Sequence, residues 1–236
     1  KFILATKVGR YGSDFADFDF SAKRVTASVD ESLRRMGVEY VDIIQCHDIE
    51  FEDLDLVINE TLPALREVVR KGKARFVGIT GLPLKVFRYV LERTEVDTIL
   101  SYCHYALNDT SLRELLPLLK AKNIGIINAS PYSMGLLTEQ GPPVWHPAPK
   151  TVKDACKKVA ELCKAQGANI SQVALHFALS NPDLHTTLVG TAKAENIQKN
   201  VEWMSAPVDQ KLLAQVQAIL APIHDVTWPS GHPKNN

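Results

Sequence analysis

The chain has no run of about 18 apolar residues, so nothing in its 236 residues reads as a membrane-spanning helix. It also lacks net charge, with 27 Lys and Arg against 27 Asp and Glu. That balance argues against the basic surface that nucleic acid or an anionic membrane requires, so neither partner is expected. The four cysteines, Cys46, Cys103, Cys156 and Cys163, form no Cys-x-x-Cys pair and read as reduced thiols in a reducing compartment. Neither His-Glu-x-x-His nor an EF-hand loop occurs, and no metal is expected. A Gly-x-Gly-x-x-Gly loop is missing too, which leaves a Rossmann reading little support. Ser133 stands outside any Gly-x-Ser-x-Gly elbow.

What is present is an ordinary globular composition, 45% hydrophobic and 23% charged, able to bury a sizeable core. Short β-branched runs read as strands: FILATKV (2–8), VDIIQCH (41–47), ARFVGIT (74–80), DTILSYCH (97–104), IGIINAS (124–130) and HTTLVG (185–190). They are apolar on both faces, as parallel strands covered on both sides are. Amphipathic segments lie between them. In 21–37, Ser21 reads as an N-cap, Val25, Val29, Leu33 and Met36 form one stripe, and Gly37 closes the helix. A second helix is expected over 54–73 with a face of Leu56, Ile58, Leu62, Leu65 and Val69. Pro63 and Pro117 fall inside helical runs, where each predicts a kink or a late start.

Strict strand–helix alternation without a linker predicts an α/β fold as a single domain over 1–236, either a TIM-type (β/α)8 barrel or an open doubly wound sheet. Six strands are visible where such a barrel needs eight, and the chain opens directly on a strand at Lys1. The expectation is that the first two βα units are absent. In these barrels the chemistry gathers at the carboxyl ends of the strands. Those ends hold Thr6 and Lys7; Gln45, His47 and Asp48; Thr80 and Gly81; Ser101, Tyr102 and His104; Asn128 and Ser130; Gly190 and Thr191. An isolated His47 also reads as a structural histidine held by a carbonyl, and Lys7 as a snorkelling strand-end lysine. Together at equivalent strand ends they read as reacting groups. Asp48 and Glu50 are expected to be solvated loop carboxylates.

These residues carry a resemblance. ILATKVG, SLRRMGVEYVDIIQCHDIE, ALREVVRKGKARFVGITG, IGIINASPYSMGLLT and LVGTAKAENIQKN together resemble the aldo-keto reductase family over essentially the whole chain. Several loop segments, among them CHDIEF, SYCHY and GLLTEQGPPVWHPA, resemble the branch that oxidises aldoses at C1. The resemblance implies a nicotinamide cofactor, a small-molecule sugar substrate, a cytoplasmic protein and a monomer or weak homodimer. It assigns Lys7 and His47 as catalytic residues. The tyrosine acid and its aspartate partner would lie upstream of Lys1, so this chain alone is expected not to turn over.

The same resemblance assigns the cofactor to Thr80, Gly81, Ser101, Ser130, Tyr132, Met134, Gly135, Leu136, Gly190, Thr191, Glu195, Asn196 and Asn200. In relatives that grip a 2′-phosphate, a Lys-Ser pair and a following Arg occupy the places held in this chain by Gly190, Thr191 and Asn196. With no cation there, NAD is expected over NADP. Ala129 replaces the ring that stacks on nicotinamide, leaving Tyr132 or Tyr102 for that place. Trp145 and Trp228 are candidate sugar-stacking faces, equally readable as packed tryptophans. The tail 221–236 is expected to overhang the substrate pocket. Two other readings of the resemblance are a non-catalytic nicotinamide-binding module and a general aldehyde or ketone reductase.

Overall fold

The computed structural model describes residues 2–236. In chain order its elements are β1 (Ala5–Val8), α1 (Ala22–Met36), β2 (Val41–Cys46), α2 (Leu54–Leu56), α3 (Leu62–Arg70), β3 (Ala74–Gly81), α4 (Leu84–Leu91) and β4 (Thr98–Tyr102). Then come α5 (Leu116–Ala121), β5 (Gly125–Ala129), α6 (Lys150–Ala165), α7 (Ile170–Leu179), β6 (Thr186–Leu188), α8 (Ala194–Ser205) and α9 (Gln210–Leu220). The chain forms two compact units. The first holds the described part of Lys1–Leu100 with Leu118–Gly125 and Pro229–Asn236, and the second holds Ser101–Pro117 and Ile126–Trp228.

In the first unit the strands pair in chain order. β1 lies parallel to β2 with Lys7 opposite Gln45, and β2 lies parallel to β3 with Gln45 opposite Gly78. Parallel neighbours require a crossover, and α1 and the α2–α3 run supply the first two. Helix α1 forms as its sequence dictates. The Ser21 side chain accepts the Arg24 N–H, and Gly37 closes the helix at φ 67°, a left-handed conformation that glycine adopts without Cβ strain. Val25, Val29 and Leu33 are buried, whereas Met36 in the last turn is exposed and leaves the expected stripe.

The second helical run departs from its expected face. Val57–Thr61 is π-helical and joins α2 to α3, with Pro63 in the first turn of α3. Proline has no N–H to continue an α-helical ladder, and a π turn adds a residue that rotates the downstream helix about its axis. The buried set is therefore Val57, Leu62, Leu65 and Val68, and Leu56, Ile58 and Val69 stay only partly covered. Pro117 likewise marks a late start, one residue after α5 begins.

In the second unit β5 pairs parallel to β6, with Asn128 opposite Thr187. Val152, Cys156, Val159 and Cys163 form the buried stripe of α6, which packs on Leu212, Val216 and Leu220 of α9. All four cysteines are free and buried, and burial pushes the Cys46 and Cys103 thiols up to about 12. They are core packing and not reactive thiolates.

The expectation of strands covered on both sides holds for β2 and for the last five residues of β3, while Arg75 and Phe76 of β3 are exposed, and it fails at the two ends of the strand order. Ala5 and Lys7 of β1 are exposed, as is Leu188 of β6. The first strand is also shorter than the apolar run suggests, because Phe2 and Ile3 precede it and are exposed. An edge strand has a neighbour on one side only, so hydrophobicity along the chain overstates its cover. No helix among the described residues is long and apolar enough to cross a membrane.

Candidate active site

Within the first unit, the ends of β1, β2 and β3 assemble one polar cluster. His47 comes directly after β2 and its N–H donates to the carbonyl of Val8 at 2.9 Å, which ties it to the end of β1. Lys7 is exposed on β1, not buried as an apolar strand would suggest, and no carboxylate among the described residues pairs with it. An edge strand lets its ammonium stay solvated, so no desolvation cost arises.

Asp48 is the hinge of the cluster. It sits in the left-handed region at φ 54°. Its N–H donates to Thr80 Oγ1 at 2.8 Å, and the Thr80 hydroxyl donates back to Asp48 Oδ1 at 3.1 Å. Arg10 Nη1 donates to the other oxygen, Oδ2, at 2.6 Å. The His47 Nε2 lies 3.6 Å from that same Oδ2, close enough for charge coupling and too far for a hydrogen bond.

Burial pulls the His47 pKa below the ordinary imidazole value; Asp48 opposes this, and Lys7 and Arg10 reinforce it. The imidazole is accordingly neutral at neutral pH, with one ring N–H to give to a substrate oxygen. Asp48 is buried, contrary to the solvated loop residue the sequence suggests, because Arg10 and Thr80 satisfy both of its oxygens. Thr80, assigned to the cofactor from sequence, spends its hydroxyl on Asp48.

Glu50 departs further from expectation, since its side chain has no exposure at all. Its Oε1 accepts the Leu82 N–H at 3.1 Å and the Ser230 hydroxyl at 2.9 Å. Its carbonyl accepts the His232 N–H and the Asn235 side-chain amide, each at 2.9 Å. The segment Pro229–Asn236 is thereby fastened over the loop that follows His47. Gly231 makes this approach possible: it has φ 75°, and a Cβ there would lie 2.2 Å from the Glu50 carbonyl oxygen. Gly231→Ala is expected to lower stability by about 1–3 kcal/mol from the backbone conformation alone, read as a drop in melting temperature. An unchanged melting temperature would mean that the tail is not held this way. Burial, with the neighbouring Asp48 charge added, pushes the Glu50 carboxyl up to about 7. Gly81, the other cofactor candidate in this unit, lies against Glu50: a Cβ there would meet its Oε2 at 2.8 Å.

The second unit contains a cleft of about 430 Å³. One wall is the loop after β5, with Ser130, Tyr132, Met134 and Gly135; the other comes from Gly190, Thr191, Asn196 and Asn200 at the start of α8. The loop turns sharply, with positive φ at Ser130, Ser133, Met134 and Gly135. The Tyr132 hydroxyl donates to Asn200 Oδ1 at 2.7 Å and joins the walls, and burial raises its pKa to about 12. The Asn196 amide donates to Thr191 Oγ1 at 2.9 Å.

Eight of the sequence-assigned cofactor residues thus line one cleft. Leu136 is buried in the core, and Ser101 is buried without lining this cleft, as Glu195 is exposed without lining it. Neither tryptophan is shown meeting a ligand face: Trp145 is 71% exposed, while Trp228 is buried at 6% with His146 set edge-on to its ring at 4.9 Å. Trp228 has no open face for a sugar.

Lys199 and Trp203 are cleft residues that sequence reasoning missed. The signal was available, since Asn196, Lys199, Asn200 and Trp203 follow i, i+3, i+4, i+7 and share one face of α8. Lys199 brings a cation to the cleft outside the places of Gly190, Thr191 and Asn196.

The cleft suits a dinucleotide by its chemistry. It combines hydroxyls, amides and a lysine with the N-terminus of α8, which has no side-chain cap and favours a phosphate. Elsewhere in the same unit the Ser101 hydroxyl is buried without a hydrogen-bond partner among the described residues. No cluster of His, Cys, Asp and Glu among the described residues could hold a metal.

Comparison with known proteins gives these features a context. The model of the Aldo/keto reductase family matches residues 1–221. L-galactose dehydrogenase of Arabidopsis thaliana is 51% identical over 99% of this chain and 75% of its own length. D-arabinose 1-dehydrogenase of Saccharomyces cerevisiae is 32% identical over 76% of the chain and 56% of its own length. D-threo-aldose 1-dehydrogenase of a Pseudomonas species is 25% identical over 85% and 63%. The chain therefore spans three quarters of the first relative and less than two thirds of the other two. An aldo-keto reductase from Bacillus halodurans, solved in its holo form, superposes with a TM-score of 0.75 at 24% identity, covering 98% of this chain and 75% of that one. That likeness shows the fold: the six parallel strands and their helices are of the (β/α)8 type.

Proposed function

The chain belongs to the aldo/keto reductase family, and on that premise we propose that it oxidises an aldose, L-galactose first among candidates, at C1 to the lactone with NAD as acceptor. The observation that carries this reading is the identity of 51% with L-galactose dehydrogenase over nearly the whole chain. Aldo/keto reductases use nicotinamide cofactors. Ser130, Tyr132, Gly190, Thr191, Asn196, Lys199 and Asn200 would hold its adenosine and phosphate portion, and Ser101 its amide. When bound, the nicotinamide accepts a hydride from the sugar carbon.

The chain's own groups orient and charge the reaction. Neutral His47 gives its ring N–H to the oxygen on C1 and fixes that carbon's attitude. Lys7 places a positive charge beside the acid that exchanges a proton with the same oxygen, and a cation favours the anion of such an acid. In the family this chain resembles that acid is a tyrosine, and none of the tyrosines of this chain is assigned to it. Asp48 holds the loop that carries His47.

NAD is the proposed cofactor because Gly190, Thr191 and Asn196 offer no charge to a 2′-phosphate, and Thr191 and Asn196 already bond each other. Calorimetric titration tests this choice on the chain itself. NAD is expected to bind at least about tenfold more tightly than NADP, and Lys199→Ala to weaken both to a similar degree, as loss of a charged hydrogen bond to the shared phosphates would. Equal affinity for the two cofactors, abolished for NADP alone by Lys199→Ala, would reverse the assignment.

A further inference from the structure

The loop after β1 carries a charged group that the proposed chemistry does not use. Arg10 is held from three directions. Its Nη1 meets Asp48 Oδ2 at 2.6 Å, its Nε donates to the Gly12 carbonyl at 3.3 Å, and its guanidinium lies 5.2 Å from the centre of the Phe18 ring and 5.9 Å from that of Phe51. Asp48 is itself clamped by Thr80 at both its N–H and its carboxylate, so the guanidinium is fixed before any ligand arrives. Of its five N–H donors, two have these acceptors; the remaining three have none among the described residues, and the side chain is 33% exposed.

Beside Arg10 stands an aromatic wall. Phe18 and Phe51 stack at 4.8 Å and 21°, and Phe15 leans on Phe51 at 5.2 Å while 57% exposed. Phe15 also meets the His232 ring at 5.5 Å, and Phe18 and Phe51 are half-buried, so Phe15 is the exposed part of this wall. Directed N–H donors next to an apolar face match one ligand chemistry well: a polyhydroxylated ring, whose hydroxyl oxygens accept hydrogen bonds and whose C–H face packs on aromatic carbon. The same Asp48 oxygen that pairs with Arg10 lies 3.6 Å from His47, so this surface adjoins the imidazole.

We propose that Arg10 is a specificity-determining residue that binds the hydroxyls of an aldose beside His47, with Phe15, Phe18 and Phe51 as the wall on which the sugar ring packs. This assignment rests on the aldose reading of the site. It explains why an arginine is pinned at a βα loop beside a buried carboxylate.

The test is a binding experiment on the chain with NADH present, titrating L-galactose and, separately, propanal, which has no hydroxyls. Wild type, Arg10→Gln, Arg10→Lys and Phe51→Leu are compared, with NADH affinity and melting temperature measured for each. Arg10→Gln is expected to weaken L-galactose binding about tenfold or more, Arg10→Lys less, and to leave propanal and NADH binding unchanged. Phe51→Leu keeps the Arg10–Asp48 pair, and its expected result is a loss of saturation transfer from protein to the sugar C–H protons together with weaker L-galactose binding. If Arg10→Gln leaves Asp48 buried without its cation and the protein unfolds, Phe51→Leu and Arg10→Lys decide alone. Equal L-galactose affinity in wild type and the folded variants overturns the assignment while leaving the aldose reading intact. An equal loss for L-galactose and propanal overturns it as well, since Arg10 would then act only through Asp48 on His47. Absence of L-galactose binding by the wild type would instead sink the aldose reading, and the assignment with it.

Discussion

Replacing His47 by Ala in the full-length protein is expected to lower kcat for L-galactose oxidation by about 10²–10⁴, the usual contribution of one positioned proton-handling group. Lys7→Met should do the same. Neither side chain lies in the second unit, which holds the proposed cofactor cleft, so NAD affinity should change by less than about threefold, within the scatter of surface substitutions. The two changes should not add. A lysine that favours an anion and an imidazole that holds the same oxygen act as one device, and losing either disables it. Because burial holds His47 below its ordinary pKa, any loss of rate caused by protonating His47 should set in below the usual imidazole range of about 6.5. A step in the rate near 6.5 that is present in wild type and absent from the residual rate of His47→Ala would show that burial does not hold this histidine low. Initial rates at saturating NAD decide each point.

The second large effect concerns stability and Glu50. Its carboxyl rises from an ordinary 4.5 to about 7 in the folded chain, first through burial and then through Asp48. The folded state therefore keeps a proton that the unfolded state releases. Stability falls as pH rises from about 4.5 through about 7, and the full penalty stands above that. A rise of this size corresponds to about 3 kcal/mol. Glu50→Gln keeps an oxygen to accept the Leu82 N–H and the Ser230 hydroxyl and cannot ionise. The variant is expected to be more stable than wild type at pH 8 by up to that amount, equal to it near pH 4.5, and flatter between. Denaturant melts at several pH values measure the difference. Wild type more stable than Glu50→Gln at pH 8 would mean that the buried carboxylate is stabilised by its surroundings, the opposite of a penalty from burial.

Glu50 also shows where sequence reading stops. Its companions are Leu82, 32 residues on, and Ser230, 180 residues on. Asp48 meets Arg10 across 38 residues and Thr80 across 32. Nothing in the local pattern HDIE announces these partners, so both carboxylates read as solvated. The strands were legible because β-branched runs between glycines and prolines need no distant information, and so was α1, whose Ser21 cap and closing Gly37 are local. The frame of the next helix was not, because a π turn before Pro63 shifts the buried face without changing hydrophobicity.

The cleft was largely legible for a different reason. Its walls are two contiguous segments, around Ser130–Gly135 and Gly190–Asn200, so motif and site coincide. Lys199 was missed through attention to the start of the segment, although helical spacing placed it on the face of Asn196 and Asn200. The aromatic wall of Phe15, Phe18 and Phe51 depends on two loops meeting, and only coordinates bring it together.

The functional account turns on whether the Lys7–His47 rim oxidises a sugar. The most direct measurement follows the absorbance of reduced cofactor on mixing the full-length protein with NAD and L-galactose, alongside Lys7→Met and His47→Ala. The account predicts turnover in the parent protein, lactone as the product, and loss of turnover in both variants with NAD still bound. Undiminished turnover in either variant, or none in a parent protein that binds both NAD and L-galactose, would contradict it.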